Sequence, residues 1–167
     1  MCYDDWHLAN MEINVLIDEN FKGGLEVGWL RSIAEQVLVA QDVGSNVEMG
    51  LVITSQKRVQ QLNQSYRGKD EPTDVLAFST IEEIGADSPP FVTPPDGVSH
   101  LGEVIISYPQ AVTQAEERQH SIEREITILT IHGVLHLLGY EHDKPELERE
   151  MRVREAEILS HMERGKN

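Results

Sequence analysis

The chain has 167 residues and one cysteine, long enough for a single domain to bury about 70% of its unfolded surface without disulfides. Its formal net charge of −15, from 29 acidic and 14 basic residues, excludes a protein that coats nucleic acid with a broad basic face, because that mode relies on lysine and arginine displacing counterions from phosphates. No uncharged apolar run reaches the roughly 18 residues of a membrane span, and the acidic opening MCYDDWHLAN lacks the basic and apolar segments of a secretion signal, so the expectation is a cytoplasmic protein without membrane association.

Residues 1–10 read as a flexible N-terminal tail carrying Cys2, and residues 11–167 as one domain. Met11 to Ile17 alternates as a strand does, and Glu26 to Ala40 places Val27, Leu30, Ala34, Val37 and Leu38 at helical spacing. Val47 to Thr54 is a second strand. Ser55 then caps a helix running to about Tyr66, and RGKDEPT ends it with glycine, acids and a proline. Asp74 to Thr80 and Glu103 to Ser107 are β-rich and read as strands three and four. Between them, EEIGADSPPFVTPPDGVSH (82–100) holds four prolines and two glycines and predicts an irregular loop within the same domain.

Ser107 followed by Pro109 marks a helix over about 109–119, and Ser121 caps the next, with Glu123 and Glu125 in its first turn where the helix dipole favours anions. From Ile126 to Gly139 only the histidines can carry charge, so this helix is expected to be buried all round and central, with Gly139 as its left-handed stop. Pro145 opens a last helix with Met151, Ile158 and Leu159 toward the core. Its Glu146, Glu148, Glu150, Glu155 and Glu157 alternate with Arg149, Arg152 and Arg154 as a solvated face, with i,i+4 pairs expected at Glu148–Arg152 and Glu150–Arg154.

The informative stretch is IHGVLHLLGYEHD (131–143). Two imidazoles in an apolar helix are costly to bury unless their ring nitrogens find partners. His132 and His136 are one turn apart on one face, and the reversal at Gly139 lets His142 swing back toward them. Three nitrogen donors suit zinc or another late divalent ion and leave a fourth position open, as catalytic sites do; such an ion lowers the pKa of a water from about 15.7 to about 7. The plainer reading is a pair of satisfied core histidines. His7, His100, His120 and His161 lack this spacing and read as ordinary loop or surface residues, while Glu141 and Asp143 flank His142 and are placed to orient an imidazole. Helical zinc peptidases carry His-Glu-x-x-His, with the glutamate as base; Gly133 stands there instead, which removes that base and is expected to free space beside the metal for a phosphodiester.

HGVLHLLGYEH, with YRGKDEPTDVLAF and LGEVIIS upstream, resembles the YbeY family of bacterial endoribonucleases, the rRNA maturation factors, over about Met11 to Leu159. The resemblance implies an α+β single domain: a roughly four-stranded mixed sheet on about five helices, with a zincin-like core helix. It implies one metal ion, usually zinc, on His132, His136 and His142, and a functional arginine at Arg67. It further implies cleavage of single-stranded RNA, action in small-subunit rRNA 3′-end maturation and ribosome quality control, and association with small-subunit proteins of the ribosome. Two departures are Glu141, where aspartate is commoner, and a longer loop at 82–100.

A guanidinium at Arg67 suits bidentate contact with a phosphate and with the charge that builds on it in the transition state; the alternative is a surface ion pair with Asp70 or Glu71. Thr73 and Asp74, after a proline at a strand entrance, read first as turn caps. Lys57, Arg58 and Lys69 complete the one basic concentration and are the first candidates for guiding RNA. So few cations imply weak affinity for free RNA and hence docking on a ribosomal partner. Two rivals stand: a zinc peptidase or deacylase using the same ligands, and a non-catalytic assembly factor with a structural metal. The general base and the oligomeric state are left open by the residues.

Overall fold

The computed structural model describes residues 11–43, 46–68, 73–79, 99–141 and 143–165, with Arg67 as backbone only. Strand β1 (Met11–Ile17) buries Met11, Ile13 and Ile17 and turns Glu12, Asn14 and Leu16 outward, as its alternation predicts. A short 3-10 helix, Glu19–Gly24, follows, capped by Asp18, whose side chain accepts from the Asn20 amide at 3.1 Å; no periodicity announces so short an element. Helix α1 (Val27–Ala40) leads to β2 (Val47–Thr54), α2 (Gln56–Arg67), β3 (Val75–Ser79) and β4 (Ser99–Ser107). Helices α3 (Tyr108–Arg118), α4 (Ile122–Leu137) and α5 (Pro145–Gly165) complete the chain.

The sheet order is β1-β2-β4-β3, with β1, β2 and β4 parallel and β3 antiparallel to β4, so the expected mixed α+β sheet on five α-helices is what forms. Strand β4 begins at Ser99, because Ser99 and His100 pair with Val47 and Glu48; the expected loop of 82–100 therefore overran the strand by two residues, and its remainder lies outside the described residues. Sequence alone hid this start, since SHLG lacks the β-branched signal and only the neighbouring strand supplies the register. The tail of residues 1–10 also lies outside the described residues.

The two sheet faces are unequal. On one, Val104 and Ile106 of β4 join the main core with α1, α4 and α5; on the other, Ile105 and Leu76 meet Val59 of α2 in a small cluster. Helix α4 packs against β3, β4, α1, α3 and α5, which makes it the centre of the fold. Its Ile126, Ile131, Leu135 and Leu137 are almost wholly buried, each contributing about 2 kcal/mol by area. Ser55, Ser107 and Ser121 each cap a helix by accepting from the amide three residues on, at 3.1, 3.3 and 3.1 Å.

Gly133 faces β4. A Cβ there would lie 2.5 Å from Val104 Cγ1, so the glycine exists for close helix–sheet approach. This corrects the expectation that it frees space beside the metal: the space it provides is filled by valine. On α5, Glu148 and Arg152 pair at 2.6 Å as expected, but Arg154 does not turn to Glu150. It donates to the Ala40 carbonyl at 2.6 Å and to Gln41 Oε1, tying α5 to the end of α1. Its length lets it reach these acceptors at the end of another helix while also pairing with the exposed Glu157 at 3.3 Å. Among the described residues no helix is long and apolar enough to cross a membrane.

Candidate metal centre

His132 and His136 lie one turn apart on the last half of α4, ring centroids 5.0 Å apart and inclined by 67°. The helix then ends in a Schellman arrangement. Gly139, at φ +104°, donates to the His136 carbonyl at 3.1 Å, and Tyr140 donates to Leu135 at 3.0 Å. Gln41 Nε2 donates to the Tyr140 hydroxyl at 3.2 Å, which fixes the exit of the turn. His142 follows two residues later and lies outside the described residues.

The Nδ1 of His132 sits 2.6 Å from Glu155 Oε1 on α5, with the two side chains 31% and 21% exposed. A carboxylate only accepts, so Nδ1 carries the proton and Nε2 is the nitrogen with which this ring would hold a metal. Two imidazoles on one helical face, one of them oriented by a carboxylate, are the donor chemistry of a late divalent ion. The described donors thus fit the expected metal.

Glu155 was expected on the solvated face of the last helix, and the structure corrects this. It lies in the core phase of α5, four residues after Met151 and three before Ile158, both buried. That spacing was the available signal for it. Glu141 and Asp143 are exposed. The carboxylate that reaches His132 comes from a helix 23 residues downstream.

A cleft of about 360 Å³ opens beside His132, lined by Asp74, Arg118, Glu148, Arg152 and Glu155 together with Leu129 and Met151. Asp74 does cap its turn, Oδ1 accepting from the Val75 amide at 2.8 Å, and it also stands at this cleft. Arg67 closes α2, and Gly68 follows it at φ +70°. Arg58 instead lines a separate groove of about 610 Å³ with Asp18, Tyr66, Phe78 and Glu103, against the sheet face opposite α4. Lys57 is its exposed neighbour on α2, so neither is brought to the histidines; Lys69 lies outside the described residues.

One histidine expected to be ordinary is not: His120, 15% exposed, has Nε2 2.5 Å from the wholly buried Glu125. His100 stands at the surface as expected, its side chain 39% exposed, although on strand β4 with Nδ1 2.9 Å from Glu48. No local pattern reports the burial of His120, between two helices, because it arises from α3 packing against α4.

A family model described as Endoribonuclease YbeY matches residues 19–163. A protein of Dehalococcoides mccartyi called Endoribonuclease YbeY is 48% identical over 92% of this chain and 91% of its own length. One of the same name from Chloroflexus aurantiacus is 42% identical, covering 89% and 93%. The solution structure of a Thermotoga maritima protein superposes with a TM-score of 0.54 at 26% identity, covering 92% of this chain and 93% of that one.

Proposed function

Because this chain belongs to the YbeY endoribonuclease family, we propose that it is a zinc-dependent endoribonuclease that cuts single-stranded RNA at the histidine pair of α4. The observation that carries this reading is the His132–His136 face with Nδ1 of His132 committed to Glu155, which makes Nε2 the nitrogen through which that ring would bind an ion. His132, His136 and His142 would hold the ion, with other late divalent metals able to replace zinc. Zinc bound there would supply Lewis acidity to a phosphoryl oxygen.

The chain's own residues have separable tasks. Arg67 would hold the phosphate in a bidentate grip and neutralise its developing charge. Glu155 accepts from Nδ1 of His132, and Gly139 ends the helix that carries His132 and His136. Lys57, Arg58 and Lys69 are assigned to guiding the RNA strand beyond the scissile phosphate, with Arg58 acting from the opposite face of the sheet. The net charge of −15 opposes binding of free RNA, which supports a substrate presented by small-subunit ribosomal proteins, with maturation of the small-subunit rRNA 3′ end and ribosome quality control in the cytoplasm as the cellular task.

The purified chain would be incubated with labelled single-stranded RNA and, separately, with casein, each with and without chelator. RNA cleavage that stops with chelator and returns with zinc is expected. Casein cleavage with intact RNA would transfer the site to the peptidase reading, although Gly133 packs where that reading needs its base. His136→Ala is expected to remain folded and lose cleavage; an unfolded variant would favour a structural metal.

A further inference from the structure

We propose that Glu155 is a positioning residue for His132, holding that imidazole in its Nδ1–H tautomer so that Nε2 faces the metal, and making α5 part of the metal centre although none of the proposed ligands lies on it. The inference rests on the metal reading above and extends it to a residue outside the histidine signature.

Three observations converge. The Nδ1 to Oε1 distance of 2.6 Å is that of a charge-assisted hydrogen bond, and the partners are only 31% and 21% exposed, so solvent does not screen the contact as on an open surface. Glu155 lies in the core phase of α5, in line with Met151, Ile158 and Met162, exposed by 1, 2 and 7%. A carboxylate at such a position costs free energy unless satisfied, and His132 satisfies it. The other paired acids of α5 differ: Glu148 engages Arg152 and Glu157 engages Arg154 on their own helix, and Glu163 crosses to Arg124 of α4 with both side chains 45% or more exposed, whereas Glu155 crosses to a largely buried imidazole. The hydrogen bond made by one ring nitrogen sets which tautomer the ring adopts, so the seating of α5 decides which nitrogen His132 offers.

The test uses the full chain and two readouts. Nitrogen–proton correlation spectra of the zinc-free protein, at about pH 8.5 where an ordinary imidazole is neutral, report the His132 tautomer. Competition with a chromophoric chelator gives the zinc Kd. Glu155→Ala is expected to lose the Nδ1–H tautomer and to raise the zinc Kd by about 10- to 100-fold. Glu155→Gln, whose amide oxygen still accepts, is expected to keep the tautomer and lose less affinity, and Glu157→Ala to change neither. Circular dichroism verifies that each variant is folded; should Glu155→Ala fail to fold, Glu155→Gln and the wild-type tautomer carry the decision. A wild-type His132 protonated on Nε2, or a folded Glu155→Ala with an unchanged zinc Kd, would overturn the proposal. A wild-type chain that binds no zinc while His132 keeps its Nδ1–H tautomer would instead sink the metal reading, leaving the carboxylate's hold on the ring intact.

Discussion

Helix α4 takes part in two carboxylate–imidazole pairs, and they are built differently. Near its start the helix supplies the carboxylate: Glu125, with no solvent exposure, accepts from Gln114 and Arg118 at 2.8 Å each and from His120 at 2.5 Å. Toward its end it supplies the imidazole, and Glu155 reaches His132 at the edge of an open cleft. The first is built on a sealed carboxylate, whose two oxygens are shared by three donors, one of them Arg118, 52% exposed and reaching in from the cleft. The second engages one ring nitrogen, Nδ1, with a single carboxylate oxygen. A sealed carboxylate suits bracing, because a buried charge must be fully satisfied; a pair at a cleft edge suits orienting the imidazole, because the hydrogen bond at one ring nitrogen sets the tautomer.

The sharpest test of this contrast removes the sealed carboxylate. Glu125→Ala leaves His120 and Gln114 without their acceptor and a cavity where the buried side chain was, while Arg118, 52% exposed, turns to water; it is expected to cost about 3 kcal/mol in denaturant unfolding, with the zinc affinity of the folded fraction unchanged. A smaller penalty, or a lost metal, would erase the distinction between the two ends. Gly133→Ala, between them, would gain helix propensity but force a Cβ to 2.5 Å from Val104 Cγ1; thermal unfolding should show a net loss of about 2 kcal/mol. Ser121→Ala removes the cap beside the sealed carboxylate and is expected to cost about 1 kcal/mol by the same measurement. The smallest effect belongs to Arg152→Ala at the open cleft. Its partner is Glu148 and its side chain is 75% exposed, so stability should change by less than about 0.5 kcal/mol.

Much of this was legible before any coordinates. The alternation of β1 and β2, the three serine caps and the histidine helix with its glycine stop follow patterns whose information lies within three or four residues. Illegible were features defined by a neighbour far along the chain: the early start of β4, set by pairing with β2, and the choice of Arg154 for Ala40 and Gln41 over Glu150. Glu155 lay between the two. Its core phase on α5 was readable, yet its charge placed it with the solvated acids.

By itself the sequence determined the four strands and five α-helices in their order, apart from the start of β4, and the one helical face that puts His132 and His136 together, since periodicity and capping are local properties of the backbone. Only the tertiary structure decided which carboxylate meets His132, why residue 133 is glycine and which acid is sealed from water. Each of those depends on how one packed element approaches another, and a buried charge or a missing Cβ acquires meaning only from the atoms against it.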